Sequence, residues 1–347
     1  MRLLKRLSLA SIVAIASSNV AHARDQIRVV GSSTVYPFTT TAAEQFGRSS
    51  TFKTPVVEAT GTGGGIKLFC AGLGVNRPDA TNASRRMKLS EFNDCQAKGV
   101  KDIIELNIGF DGLTLVHAKK ARPLRLTLAQ LFLALVKDVL NENEELVANP
   151  HIYWSDIDKS LPYTKIEIFG PPPTSGTRDS LHELLMQKGA EDVPDYAALK
   201  KNNPKKFERI WKSIREDGAY VEAGENDNAI VQKLEGNHDA FGILGYSFLE
   251  ENAAKLRGVA FDGVAPDYDS ITSGKYKGGR RIYVYFKKAH IGVVPGIDKF
   301  IQEYLSNKAV GEDGYLTRKG LIPLPAQELA EARAAASDLT PMEPPSQ

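Results

Sequence analysis

The stretch Ile27-Arg28-Val29-Val30-Gly31-Ser32-Ser33-Thr34-Val35-Tyr36-Pro37 reads as a strand running straight into a helix. Ile27–Val30 is a short β-rich run that Gly31 ends, and Ser32, Ser33 and Thr34 are small residues carrying hydroxyls. A helical pattern then extends from about Val35 to Phe46, with Pro37 in its first turn, where a missing N–H is harmless. The same design occurs twice more. A strand over Pro55–Ala59 precedes Gly61-Thr62-Gly63-Gly64-Gly65-Ile66-Lys67 and a helix from Ile66 to Leu73. A strand over Lys165–Phe169 precedes Thr174-Ser175-Gly176-Thr177-Arg178 and a helix over Ser180–Lys188, with Leu181, Leu184 and Leu185 on one face.

The remaining chain keeps this alternation. Ile103–Leu106, Leu113–His117, Ala240–Leu244 and Ile282–Phe286 read as strands. Leu126–Leu140, with Thr127 as its cap, Pro204–Arg215 and Asn228–Leu234 read as helices. The pattern predicts an α/β protein with mostly parallel sheets. Ala326–Ala336 reads as a further helix, and residues 340–347, with Pro341, Pro344 and Pro345, as a disordered tail.

A helix start has unpaired backbone N–H groups and a partial positive charge. Small residues let an anion approach those groups, and Ser and Thr add donors without bulk. Each loop alone reads equally as an ordinary cap or turn; three in one chain point to a tetrahedral oxyanion. Arg178 adds a charge-assisted donor. Nucleotide loops are excluded: Lys67 lies between Ile66 and Leu68, so no Gly-Lys-Ser/Thr exists, and Ile66 breaks a G-x-G-x-x-G. The His residues after the leader (117, 151, 182, 238 and 290) have no metal spacing, and Ser175 lacks a G-x-S-x-G elbow. No enzyme, metal or cofactor is expected.

The N-terminus has three parts: basic Arg2, Lys5 and Arg6, an apolar run over Leu7–Ala16, and Ala21-His22-Ala23. This is the secretory leader pattern, with cleavage after Ala23, the alternative being a buried N-terminal helix. Without the leader, 41 basic residues face 42 acidic ones, so the net charge is −1 rather than +2, and charge gives no nucleic-acid or membrane-surface reading. The 324 residues left of 347 favour two lobes. Cys70 and Cys95 are the only cysteines; outside the cytoplasm they read as one disulfide, with two buried thiols as the alternative.

Together these motifs resemble the periplasmic phosphate-binding proteins of bacterial ABC transporters, over roughly residues 25–325. The matching stretches are Gly31–Pro37, Gly61–Lys67, Asn82–Lys88 and Gly170–Asp179, with Gly224–Asn228 and Phe241–Tyr246 in support. The most specific is Gly-Pro-Pro-Pro-Thr-Ser-Gly-Thr-Arg-Asp. The resemblance implies a two-lobed periplasmic binding protein of type II with mixed, mostly parallel sheets and a two-strand hinge. One lobe would comprise residues 24–109 plus 284–347 and the other 110–283, with crossings near Leu113–His117 and Ile282–Phe286. It implies inorganic phosphate as ligand, a membrane ABC permease as partner and a monomer. Thr34, the Val35 N–H, Thr62 (a Ser in the family), Ser175, the Gly176 N–H and Thr177 would bind the anion.

Two departures stand out. Ser84, followed by Arg85, occupies the place of an Asp that accepts the phosphate proton in many relatives, and Pro171 stands where many carry an Arg. Arg178 or Arg85 would supply the charge. Asp179, Asp227 and Glu222 are candidate proton acceptors, Asp227 foremost. Sulfate or a phosphonate is the alternative ligand, and a secreted phosphatase a more distant reading.

Overall fold

The computed structural model describes residues 24–346 apart from Thr174, Glu225, Asn226 and Glu312, with Gly176 and Asp227 described by their backbone only. The leader lies outside the described residues. Five strands form the first half of a continuous mixed sheet, in the order Val56–Ala59, Arg28–Gly31, Ala80–Ala83, Gly279–Lys287, Ile103–Ala118. The first three pair parallel, and Gly279–Lys287 runs antiparallel to both its neighbours. The second half begins on the same strand Ile103–Ala118, which pairs antiparallel with Phe241–Gly245. Parallel partners follow at Ile168–Gly170 and Tyr220–Glu222, and Leu256–Gly258 pairs with the end of the long strand.

Two lobes result, each with its own apolar interior. One core gathers Val29, Phe46, Ile104, Val284, Phe286 and Phe300, with a satellite around Phe69, Met87 and Tyr285. The other gathers Leu115, Phe132, Trp154, Leu185, Ile210 and Ile243. Ile103–Ala118 is the shared element. The sequence predicted two strands here, Ile103–Leu106 and Leu113–His117; they are one 16-residue strand. At Gly109 (φ +143°) a Cβ would stand 2.6 Å from the Ile322 carbonyl oxygen, so glycine marks a close backbone approach rather than a break.

All three strand–loop–helix units form, with helices at Tyr36–Ser49, Thr62–Phe69 and Gly176–Ser180, the second and third starting four residues before the expected Ile66 and Ser180. The last continues through a wider π-type turn, Leu181–Met186, into Gln187–Glu191. A second close approach explains Gly65: a Cβ there would lie 2.3 Å from Gly31 Cα, where helix Thr62–Phe69 rests on the strand. Thr127 caps its helix as expected, in reciprocal bonds with Gln130. That helix ends at Leu135, not Leu140, because Asp138–Leu140 pairs with Leu146–Ala148. Ala80–Ala83 was not expected as a strand: Ala-Thr-Asn-Ala has little β character, but all four residues are buried between two partner strands.

Cys70 and Cys95 form the disulfide, tying the end of helix Thr62–Phe69 to helix Leu89–Ala97. The terminal helix runs Ala326–Asp338. The residues after it differ from the expected disordered tail: Met342 donates its N–H to Ile103 O at 2.7 Å and packs on the satellite core. Among the described residues no helix is long and apolar enough to cross a membrane.

Candidate functional site

The three helix starts are not equivalent. At the first, Ser32 Oγ accepts from the Val35 N–H at 3.4 Å. At the third, Ser175 Oγ accepts from the Thr177 N–H at 3.2 Å. The second, Thr62–Phe69, follows Gly61 in a left-handed conformation (φ +72°) and has no side-chain cap. Open space lies where Cβ atoms would stand at Gly61 and Gly63. Its first N–H groups therefore meet a cleft rather than a capping side chain.

That cleft, about 1040 Å³, has walls from both lobes: Gly61–Gly64, Ser84 and Arg85 on one side, Asp179, Glu183, Lys188 and Trp211 on the other, and Arg280 between. A second cavity, about 530 Å³, holds Thr34, Asp111, Thr177 and Ser180. Arg280 joins the two. It stands opposite Asp111 where strand Gly279–Lys287 meets Ile103–Ala118, and its side chain is 12% exposed. Its Nη2 donates to Thr34 Oγ1 at 2.8 Å and Ser180 Oγ at 3.1 Å; its Nε donates to Asp111 Oδ2 at 3.2 Å; its Nη1 pairs with Glu183. Ser180 Oγ also donates to Asp111 Oδ2 at 3.0 Å. A hydroxyl chain completes the site: the Ser84 N–H donates to Thr62 Oγ1 at 3.1 Å, the two hydroxyls lie 2.9 Å apart, and Ser84 Oγ donates to Glu183 Oε2 at 3.2 Å.

One guanidinium thus collects the first loop through Thr34, the helix behind the third loop through Ser180 and Glu183, and the second loop through Glu183 and Ser84. Buried hydroxyls, uncapped N–H groups and a cation held by two carboxylates form a site for a small oxyanion whose oxygens can replace those carboxylates around Arg280.

The structure brings together Thr34, Thr62, Ser84 and Thr177 at these two connected cavities. Others stand differently. The Val35 N–H, the group expected to meet the anion, donates to Ser32 Oγ at 3.4 Å, and Ser175 lines neither cavity. Arg178, expected to supply charge, turns to its own loop: Nη1 donates to Pro171 O at 2.9 Å, Nε to His182 Nε2 at 3.0 Å, and the guanidinium lies over the Tyr220 ring, 4.8 Å from its centroid. Arg85 is at the cleft, but its fork is held by Glu91 at 2.8 and 2.9 Å. That pairing raises the pKa of Arg85; burial opposes ionisation of Glu91, yet the Arg85 bonds leave its pKa lowered. Of the proton-acceptor candidates, Asp179 lines the cleft and Glu222 does not. Asp227 begins helix Asp227–Gly236, and its side chain lies outside the described residues.

Two further groups are shifted. His182 is pushed down to about 4, by burial first and the Arg178 charge second. Lys188, at the cleft, is pushed down to about 8, by burial and then by Arg280 and Lys277.

Sequence reasoning missed Arg280, Asp111, Ser180 and Glu183. The available signals were a charge in an apolar run, Phe110-Asp111-Gly112, and the pair Arg280-Arg281 opening a strand. Neither shows that the two groups face each other.

The family profile described as the PBP superfamily domain matches residues 16–308. The chain belongs to the PBP superfamily. Among curated PBP-like relatives, protein SphX of Synechococcus elongatus is 29% identical over 333 residues, covering 92% of this chain and 86% of that protein. The phosphate-binding protein PstS of Staphylococcus saprophyticus is 26% identical over 319 residues, covering 90% and 85%. Among solved structures, a possible phosphate binding protein from Planctomyces limnophilus superposes with a TM-score of 0.70 at 29% identity, covering 90% of this chain and 97% of that one.

Proposed function

We propose that this PBP superfamily member is a receptor for inorganic phosphate, held between its lobes by Arg280, the hydroxyls of Thr34, Thr62, Ser84 and Thr177, and the N-terminal N–H groups of helix Thr62–Phe69. The observation that carries it is the Arg280 network, in which one partly buried cation touches the first loop and the helix of the third. Relatives named as phosphate-binding proteins support the choice of ligand. The Gly176 N–H and Ser175 keep their proposed places at the head of the third helix. Arg178 acts through that loop, as its bond to Pro171 O indicates.

The reading extends to the protein's setting. Lobes of 24–109 plus 284–347 and of 110–283 would close on the anion, burying it among dipoles in a low-dielectric site. The leader pattern and the disulfide support export to the periplasm. There the loaded monomer would dock on an ABC permease, binding without turnover. Titration calorimetry with phosphate, arsenate and sulfate tests the assignment. Saturable phosphate and arsenate binding at micromolar levels is expected; sulfate binding without phosphate binding overturns it.

A further inference from the structure

The cleft walls carry an uneven charge. Five cations line it against three carboxylates, although the chain without its leader stands at −1. Pairing keeps the imbalance. Glu183 is taken by Arg280 and Glu208 by Lys212, while Arg85 is matched by Glu91 just outside the lining. Asp179 is the remaining carboxylate of the wall, whereas Lys88 and Lys188 form no ion pair with any described residue.

The positive charge continues outside the walls, on both lobes. Helix Pro204–Trp211 buries Phe207 and Ile210, so Lys205, Glu208, Arg209 and Lys212 share its outer face at helical spacing. Glu208 and Lys212 line the cleft, which puts that face at its mouth. Lys205 and Arg209 are exposed, line no wall, and bond to no described residue through their side chains. Along the helix axis Arg209 is about 4.5 Å and Lys205 about 10 Å from Lys212, comparable with the screening length of about 8 Å at physiological salt. On the other lobe Lys67 is exposed and equally unpaired, one turn beyond Gly63 of the cleft wall on helix Thr62–Phe69. A charged helix face is ordinarily just solvated. Here unpaired cations border a concave, net-positive cleft, the arrangement that focuses a field on an approaching anion.

We propose that Lys205 and Arg209, with Lys67 opposite, form a cationic lip that draws phosphate into the cleft and raises its association rate without touching the bound anion. The proposal rests on the phosphate reading of the cleft and adds a kinetic determinant to it. The same field attracts sulfate, so the lip sets the rate of capture and leaves the choice of anion to the groups inside. Its signature is a loss of association rate with salt, because screening weakens a long-range field far more than it weakens a buried contact.

The test is stopped-flow mixing of the whole protein with inorganic phosphate from about 20 mM to about 0.5 M salt, followed by the fluorescence of Trp211 on the cleft wall. Lys205→Glu/Arg209→Glu should lower the association rate constant about fivefold or more at the lowest salt and converge on the parent at the highest, with the dissociation rate within about twofold. The neutral pair Lys205→Gln/Arg209→Gln should lose about half as much on a logarithmic scale. Lys101→Glu/Lys120→Glu makes the same change in net charge beyond the two ends of strand Ile103–Ala118, about 30 Å along it from Asp111, and should keep the rate within about twofold. Calorimetric affinity over the same salt range reads the gap between parent and lip variant at equilibrium. Equal association rates at low salt, an equal loss in the distant pair, a loss confined to dissociation, or an affinity gap that salt does not close overturns the proposal. A parent that binds no phosphate overturns the phosphate reading itself, and the lip with it; a binding-competent variant with unaltered rates overturns the lip alone.

Discussion

Arg280 donates to Thr34 Oγ1 at 2.8 Å, joining a residue of the strand at the lobe junction to the first loop of the chain, 246 positions earlier. The same guanidinium bonds Ser180 and faces Asp111 and Glu183. It is the cation that the loops need, and neither Arg85 nor Arg178 is free to replace it. Arg280→Gln should therefore weaken phosphate binding by about 30- to 150-fold, the worth of a charge-assisted contact of about 2–3 kcal/mol. Arg280→Lys should recover only part, since an ammonium cannot serve Thr34, Ser180 and Asp111 together. Calorimetric affinity within threefold of the parent in Arg280→Gln would sink the assignment.

Thr62 differs from its neighbours in being an acceptor for buried backbone. Its Oγ1 takes the Ser84 N–H, and both residues are buried. Thr62→Val keeps the shape and orphans that N–H, so it should destabilise the fold by about 1–3 kcal/mol as well as weaken phosphate binding. Thr62→Ser should lie near the parent in both. Urea unfolding read against calorimetry separates the two effects; a Val variant of parental stability would remove the structural half of the argument.

His182 gives stability a pH dependence. Its folded pKa lies near 4 against an ordinary value of 6.5, because burial and Arg178 disfavour the imidazolium. Between these values the unfolded chain binds more protons than the folded one, so stability is complete above about pH 6.5 and declines as the pH falls toward 4, then levels. The loss from this group is on the order of 3 kcal/mol. His182→Gln, whose amide oxygen can accept from Arg178 Nε, should flatten that part of the stability profile in chemical denaturation from pH 7 to 4. An unchanged slope would show that other groups carry it.

The chain order of strands and helices was legible because the loops at Ser32–Thr34, Gly61–Gly65 and Ser175–Thr177 separate apolar runs of the right length. Thr34 and Thr62 were legible for the same reason, since a hydroxyl at a helix start is a local feature; Ser84 was named only through the family resemblance. Arg280 and Asp111 were not, because their meeting depends on the register of two strands some 170 residues apart in sequence. Ala80–Ala83 escaped because its strand conformation is imposed by neighbours on both sides rather than by its own residues. The roles of Arg85 and Arg178 were misjudged for a related reason. Sequence shows a charge, but not the Glu91 or the Pro171 carbonyl that already occupies it.

The disulfide closes a loop with a sequence separation of 25 residues. In the chain-entropy account such a link is worth about 3.5 kcal/mol. Cys70→Ser/Cys95→Ser should lower stability by that order and leave the cleft intact, since neither cysteine lines it. A variant with parental phosphate affinity and a lower melting temperature is expected; lost affinity in a fully folded variant would mean that helix Thr62–Phe69 depends on the link for its position.

Discrimination between phosphate and sulfate requires more than donors, because hydroxyls, N–H groups and a guanidinium attract both. Phosphate near neutral pH keeps a proton that a carboxylate can accept; sulfate offers only lone pairs, which a carboxylate repels. With Ser84 in place of an acid, the described carboxylates bonded to Arg280 are Asp111 and Glu183, and Asp179 also lines the cleft. Asp111 is engaged by both Ser180 and Arg280. Glu183 lines the cleft and reaches Ser84 and Arg280 through the same oxygen, Oε2, leaving Oε1 without a described partner. Glu183→Gln removes a charge that also competes for Arg280, so the affinity for every anion can rise and neither affinity alone is diagnostic. The ratio is. If Glu183 accepts the phosphate proton, the preference for phosphate over sulfate should fall by about tenfold or more in Glu183→Gln, while Asp179→Asn leaves it unchanged. Parallel calorimetry of the two anions decides, and a constant ratio in Glu183→Gln would return the role to Asp179 or Asp227.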